Sequence, residues 1–135
     1  MADANYGQIV VLLITNSLES HPLKIQNAKL VWGKFIKDGN PDFEIPAEDI
    51  DKIVIPAGSK QSVSSCGRLG SAPGVEGTID LYDDKTQVCT LYWNYPWSQP
   101  TLDFEVRDVN KAYNVTYVPP NAVLGSIAID VALKG

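Results

Sequence analysis

A chain of 135 residues with 44% hydrophobic and 20% charged side chains can bury one full hydrophobic core, and it reads as a single domain over residues 1–135. Its net charge of −5, without any run of Lys or Arg, excludes a nucleic-acid surface and a polybasic membrane anchor. Two cysteines and one histidine cannot supply a four-ligand zinc site, so no structural metal and no cofactor are expected.

The opening "MADANYGQ" has neither the basic stretch nor the small-residue cleavage site of a signal peptide. "IVVLLI", from Ile9 to Ile14, is far shorter than the roughly 20 apolar residues of a membrane helix. It predicts a central strand buried on both faces. In "LKIQNAKLVW" the apolar set Leu23, Ile25, Ala28, Leu30, Trp32 slips parity once, which predicts a strand with a β-bulge near Gln26-Asn27. The acidic residues Asp38, Asp42, Glu44, Glu48, Asp49 and Asp51 read as a solvated face, with a turn of helix near "PAEDI" opened by Pro46. "KIVIP" and "KQSVSSC" predict two short strands. "CGRLGSAPGVEG" is rich in glycine, yet no lysine follows its glycines and no helical pattern opens after them. It reads as a loop with tight turns and not as a phosphate cradle.

"GTIDLYDDKTQVCTLYW" reads as a hairpin, strand 78–82 against strand 87–93 across Asp83-Asp84-Lys85. From Thr101 to Arg107, Leu102, Phe104 and Val106 alternate with Asp103, Glu105 and Arg107, a half-buried strand. "KAYNVTYV" alternates Tyr113, Val115 and Tyr117 with Asn114 and Thr116. The Asn114 sequon "NVT" falls in mid-strand, where glycosylation is not expected. "SIAIDVAL" lines up Ile127, Ile129, Val131 and Leu133. The sum is an all-β chain, an antiparallel β-sandwich of about nine short strands.

Catalytic signatures are absent: there is no nucleophile elbow, Walker loop or dinucleotide fingerprint. His21 has no identifiable catalytic partner, and Asp83-Asp84 suits a hairpin turn for backbone reasons alone. No catalytic residue is assigned, and the chain is not expected to be an enzyme. Cys66 and Cys89 read as free, partly buried thiols, with a single bridge between them as the lesser alternative.

"TLYWNYPWSQP", residues 90–100, places Tyr92, Trp93, Tyr95 and Trp97 within six positions. In a strand Tyr92 and Trp93 point to opposite faces, so one of them lies outside the core. Leu91 and Trp93 share a row with Cys89, while Tyr92 shares one with Val88 and Thr90. No charged residue occurs from Thr86 to Leu102, nor between Arg68 and Glu76. Such loops suit the headgroup level of a bilayer, where Trp and Tyr partition. Arg68 is the polar group expected to fix a headgroup phosphate there.

The segments "LVWGKF", "SSCGRLGSAPGVEGTIDLYD" and "LYWNYPW", with "NYGQIVVLLITN" at the start and "GSIAIDVALKG" at the end, resemble the aegerolysins over nearly the whole chain. The resemblance implies a compact β-sandwich of a small acidic protein that binds membrane sphingolipids. It implies action outside the cell at target membranes and, in several members, hemolysis and cytolysis as a toxin alongside a pore-forming partner of the membrane-attack-complex/perforin type. By position it assigns Tyr6, Trp32, Arg68, Trp93 and Trp97 to lipid binding, and the stretch itself adds Tyr92 and Tyr95. Pro73 stands before Gly74 where sphingomyelin/cholesterol-selective members carry Glu, which tilts the expected lipid toward ceramide phosphoethanolamine. Tyr95 replaces the family cysteine of Y-W-x-C-P-W, so no family disulfide carries over. The chain shows no spare hairpin with the roughly 9–11-residue lipid-facing strands of a membrane barrel, so it is expected to recognise membranes and not to perforate them unaided. Two other readings stay open: a glycan-binding module that stacks its rings on sugars, and an interface for a homodimer.

Overall fold

Period-2 patterning becomes eleven strands and one helical turn among the described residues, 9–68, 74–96, 102–118 and 125–134, of a computed structural model. The strands are β1 Val10–Asn16, β2 Leu23–Trp32, β3 Lys34–Lys37, β4 Asn40–Ile45, β5 Val54–Ile55, β6 Lys60–Cys66, β7 Val75–Asp83, β8 Thr86–Tyr95, β9 Asp103–Arg107, β10 Tyr113–Tyr117 and β11 Ser126–Leu133. The helical turn α1 is Ala47–Ile50, preceded by Pro46 as the sequence predicts. One sheet runs β10-β11-β1-β6-β3-β4 and the other β5-β2-β7-β8-β9. Their inner rows, among them Leu12, Ile14, Val63, Ile127 and Ile129 against Ile25, Ile79, Leu81 and Leu91, form one buried core. Neighbours pair antiparallel except β1 and β11, which are parallel.

β1 takes the central place expected of it, but only one of its faces is sealed. Val10, Leu12 and Ile14 are buried, while Val11 and Leu13 are half-buried. Their neighbours across the outer face are small, Val11 facing Ser64 and Leu13 facing Ser62, so the row stays shallow.

The bulge predicted in β2 is present. Pairing with β7 breaks between Gln26 and Lys29, and Asn27 takes a left-handed φ of 57°. The break frees the Ala28 N–H, which donates to Asp51 Oδ1 at 2.8 Å. Asp51 therefore has a structural partner and is not simply part of a solvated face.

The two strands beyond the expected nine are β3 and β4. They turn through Asp38 and Gly39, both at positive φ (53° and 73°), the backbone that a tight hairpin requires. The "DG" signal was legible in "KFIKDGNPDFEI", but the acidic residues around it read only as a solvated face.

β7 and β8 form the predicted hairpin, with one irregularity of consequence. Tyr82 pairs with Gln87 but Leu81 pairs with Cys89, so Val88 is an extra residue and both Val88 and Cys89 are buried. Beyond this bulge, Cys89, Leu91, Trp93 and Tyr95 form the inner row.

Candidate functional site

The predicted site residues that the structure describes gather toward one end of the sandwich. β2 ends there with Val31 and Trp32, both well exposed at 60% and 49%. Gly33, at φ 96°, then carries the chain across to β3 in the other sheet. A side chain at Gly33 would place its Cβ 2.6 Å from the Cys66 carbonyl oxygen, so only glycine permits this close approach. Lys34 pairs with Cys66, which brings the end of β6 and then Arg68 alongside. Trp32 pairs with Glu76 and Val75 with Tyr95, so β7 starts and β8 finishes at the same end.

Arg68 is held by Glu44 of β4 in a two-pronged ion pair. Its Nη1 donates to Oε1 at 3.0 Å and its Nη2 to Oε2 at 2.8 Å. These hydrogen bonds hold the Glu44 carboxyl below the usual carboxylate range, with Lys34 adding to the pull, and they raise the guanidinium further. A cavity of about 170 Å³ opens beside the pair. Leu30, Phe35, Ile45 and Pro46 give it an apolar side, and Lys34, Glu44 and Arg68 a charged one.

The aromatic stretch divides. Trp93 is completely buried, against the expectation that it faces a membrane: it lies on the inner row set by the Val88 bulge, its indole donates to Ser65 Oγ at 3.0 Å, and its ring meets Phe35 edge-on at 6.4 Å. Tyr95 follows it inward and is only 9% exposed, so it too is core and not a headgroup-level ring. Tyr92 points outward, as the partner of a buried Trp93 must. Its hydroxyl donates to Glu76 at 2.6 Å and the Arg107 guanidinium sits 3.9 Å over its ring. Tyr6 and Trp97 lie outside the described residues, as does Pro73.

A family model for aegerolysins matches residues 7–134. The chain belongs to the aegerolysin family. It is 39% identical to Asp-hemolysin of Aspergillus fumigatus over 132 residues, covering 96% of this chain and 95% of that protein. It is 35% identical to ostreolysin A6 of Pleurotus ostreatus, covering 96% of this chain and 98% of the other. The solved structure of RahU superposes with a TM-score of 0.88 at 27% identity, covering 96% of this chain and 98% of that one.

Within this aegerolysin, then, Trp32 and Arg68 stand at the surface and Trp93 in the core. Sequence reasoning missed Glu44, which it left among the solvated acids. A signal existed: Arg68 is the only charged residue from Gln61 to Val75, and an isolated arginine at a strand end commonly seeks a carboxylate.

His21 also gains a partner. Its Nδ1 lies 3.2 Å from Asp83 Oδ1, and the Tyr113 hydroxyl donates to Asp83 Oδ2 at 2.7 Å. This cluster sits by the β7–β8 turn, at the opposite end from Trp32. Among the described residues no group of three or more His, Cys, Asp or Glu is placed to hold a metal ion.

Proposed function

We propose that this aegerolysin binds membrane sphingolipids at the Trp32–Arg68 end, with ceramide phosphoethanolamine as the preferred lipid. It acts outside the cell as the recognition component of a two-part cytolysin whose pore is made by a partner of the membrane-attack-complex/perforin type. The observation that carries this is the pairing of exposed apolar residues, Val31 and Trp32, with a charged cavity at Arg68 on the same end of a rigid sandwich. A Trp side chain buries on the order of 150–250 Å². With about half of that still available on Trp32, insertion contributes about 2–3 kcal/mol at about 25 cal/mol per Å². That suits reversible docking, and Arg68 adds a contact to the headgroup phosphate. No helix among the described residues is long and apolar enough to cross a membrane. The names of the hemolysin and ostreolysin relatives agree with action on membranes.

Co-sedimentation with phosphatidylcholine vesicles, with and without a sphingolipid, tests the reading. Pelleting that requires the sphingolipid and falls about tenfold or more in Trp32→Ala and Arg68→Ala supports it. No pelleting with any sphingolipid overturns it.

A second reading rests on the outer face of the five-stranded sheet. There a groove of about 600 Å³ is lined by Asn27, Thr78, Asp80, Thr90 and Arg107, among others. Asp80 is oriented by Asn27 Nδ2 at 2.9 Å and Thr90 Oγ1 at 2.6 Å. Such a polar surface suits a glycan. Binding on a glycan array without vesicle binding favours this alternative.

A further inference from the structure

Arg68 is not free to meet a phosphate: both faces of its fork that the structure shows in use are bonded to Glu44. A phosphate that takes the guanidinium must displace the carboxylate or share the arginine with it. Displacement by a simple anion leaves Glu44 without its partner and close to a second negative charge. Such a like-charge juxtaposition disfavours the complex. The penalty disappears when the incoming molecule carries its own cation, because the two ion pairs can exchange partners. Guanidinium–carboxylate plus phosphate–ammonium become guanidinium–phosphate plus carboxylate–ammonium, with every charge still matched.

The geometry of the pair narrows that cation. Glu44 gives up two N–H donors, at 3.0 and 2.8 Å, when Arg68 leaves. A primary ammonium has N–H bonds with which to replace them, whereas a quaternary ammonium has none. The cavity points the same way. Its volume of about 170 Å³ is below the roughly 300–1,000 Å³ of sites that enclose a drug-sized ligand, so it takes a headgroup and leaves acyl chains outside. Its apolar side at Leu30, Ile45 and Pro46 gives the methylene groups of a headgroup a surface to rest on beside the pair. Lys34, on the charged side, draws phosphate toward the same place.

We propose that Glu44 is the specificity-determining residue of this site, passing from Arg68 to the ligand's ammonium, so that the site selects phosphate esters carrying an N–H ammonium, phosphoethanolamine above phosphocholine or bare phosphate. This rests on Arg68 being the headgroup contact.

The test uses the full chain and vesicles of phosphatidylcholine containing ceramide phosphoethanolamine, sphingomyelin or ceramide 1-phosphate, with wild type, Glu44→Gln and Arg68→Ala. Soluble O-phosphoethanolamine, phosphocholine and inorganic phosphate are titrated in parallel, to separate a lipid headgroup from a free small molecule. Wild type is expected to prefer the phosphoethanolamine compound about tenfold or more over the other two. Glu44→Gln, which keeps the size of the side chain, is expected to erase that preference and to gain affinity for ceramide 1-phosphate, with an unchanged thermal unfolding transition. Preference in the soluble series alone keeps the role of Glu44 and moves the ligand off the membrane. If Arg68→Ala loses binding while Glu44→Gln keeps the wild-type preference, the Glu44 role is wrong and the site stands. If wild type binds none of the compounds, or Arg68→Ala binds like wild type, site and inference fall together.

Discussion

Gly77 and Trp93 face each other across the β7–β8 hairpin, and the indole rests where a side chain at Gly77 would project. A Cβ at Gly77 would lie 2.7 Å from the Lys29 carbonyl oxygen and 3.1 Å from Trp93 Cζ2, and would also meet Leu30 Cδ2. Backbone bounds it on one side and a sealed ring on another, so little can yield. Gly77→Ala is expected to lose about 1–3 kcal/mol of stability by overpacking, read as a lower urea midpoint.

Trp93 and Trp32 should separate cleanly in the same measurement. Trp93→Ala empties a core position and strands the Ser65 hydroxyl, for an expected loss of about 3–5 kcal/mol. Trp32→Ala removes an exposed side chain and should stay within about 0.5 kcal/mol of wild type. In vesicles carrying brominated lipid, fluorescence quenching should diminish in Trp32→Ala and persist in Trp93→Phe. Equal quenching in wild type and Trp32→Ala would contradict the orientation proposed here.

Both cysteines are free and buried. Burial disfavours the thiolate and pushes Cys89 up to about 12; Cys66 is raised as well, chiefly by the same desolvation. Ellman's reagent at about pH 8 should therefore find no reactive thiol in the folded protein and two after unfolding in guanidinium. A rapidly reacting thiol in the native state would show that one of these strands opens readily.

The alkaline limit of stability follows from two phenols. Burial first, and then hydrogen bonds to Glu76 and Asp83 respectively, push Tyr92 and Tyr113 up to about 12. An unfolded tyrosine ionises near pH ~10. Between about pH 10 and 12 the unfolded chain thus gives up protons that the folded chain keeps. The stability from these groups is complete below about pH 10 and declines as pH rises toward about 12. Denaturation midpoints across this range should fall less steeply in the double variant Tyr92→Phe/Tyr113→Phe.

Much of the fold was legible because the signals were local. The parity slip in "LKIQNAKLVW" marked the β2 bulge, and Asp83-Asp84-Lys85 marked the turn between β7 and β8. The site was harder to read, for a physical reason. Whether Tyr92 or Trp93 faces the core depends on an extra residue in β8, and because Val88 and Cys89 are adjacent and both apolar, either could begin the inner row. The Arg68–Glu44 pair spans 24 residues between strands of short, polar sequence, and period-2 patterning carries no information about such a contact. The β3–β4 hairpin was hidden because its strands carry charges that an interior strand would not.

The parallel pairing of β1 with β11 joins the two ends of the described chain, Val11 lying across from Ser126 and Ile14 from Ile129. A nascent polypeptide leaving the ribosome must therefore hold β1 with one edge unmet until β11 has emerged. Closure of the six-stranded sheet is then a late, long-range event, of the kind that makes β topologies slow to fold and prone to aggregate on the way. A stop codon that removed β11 would leave the edges of β1 and β10 bare together, inviting strand addition by a neighbouring copy.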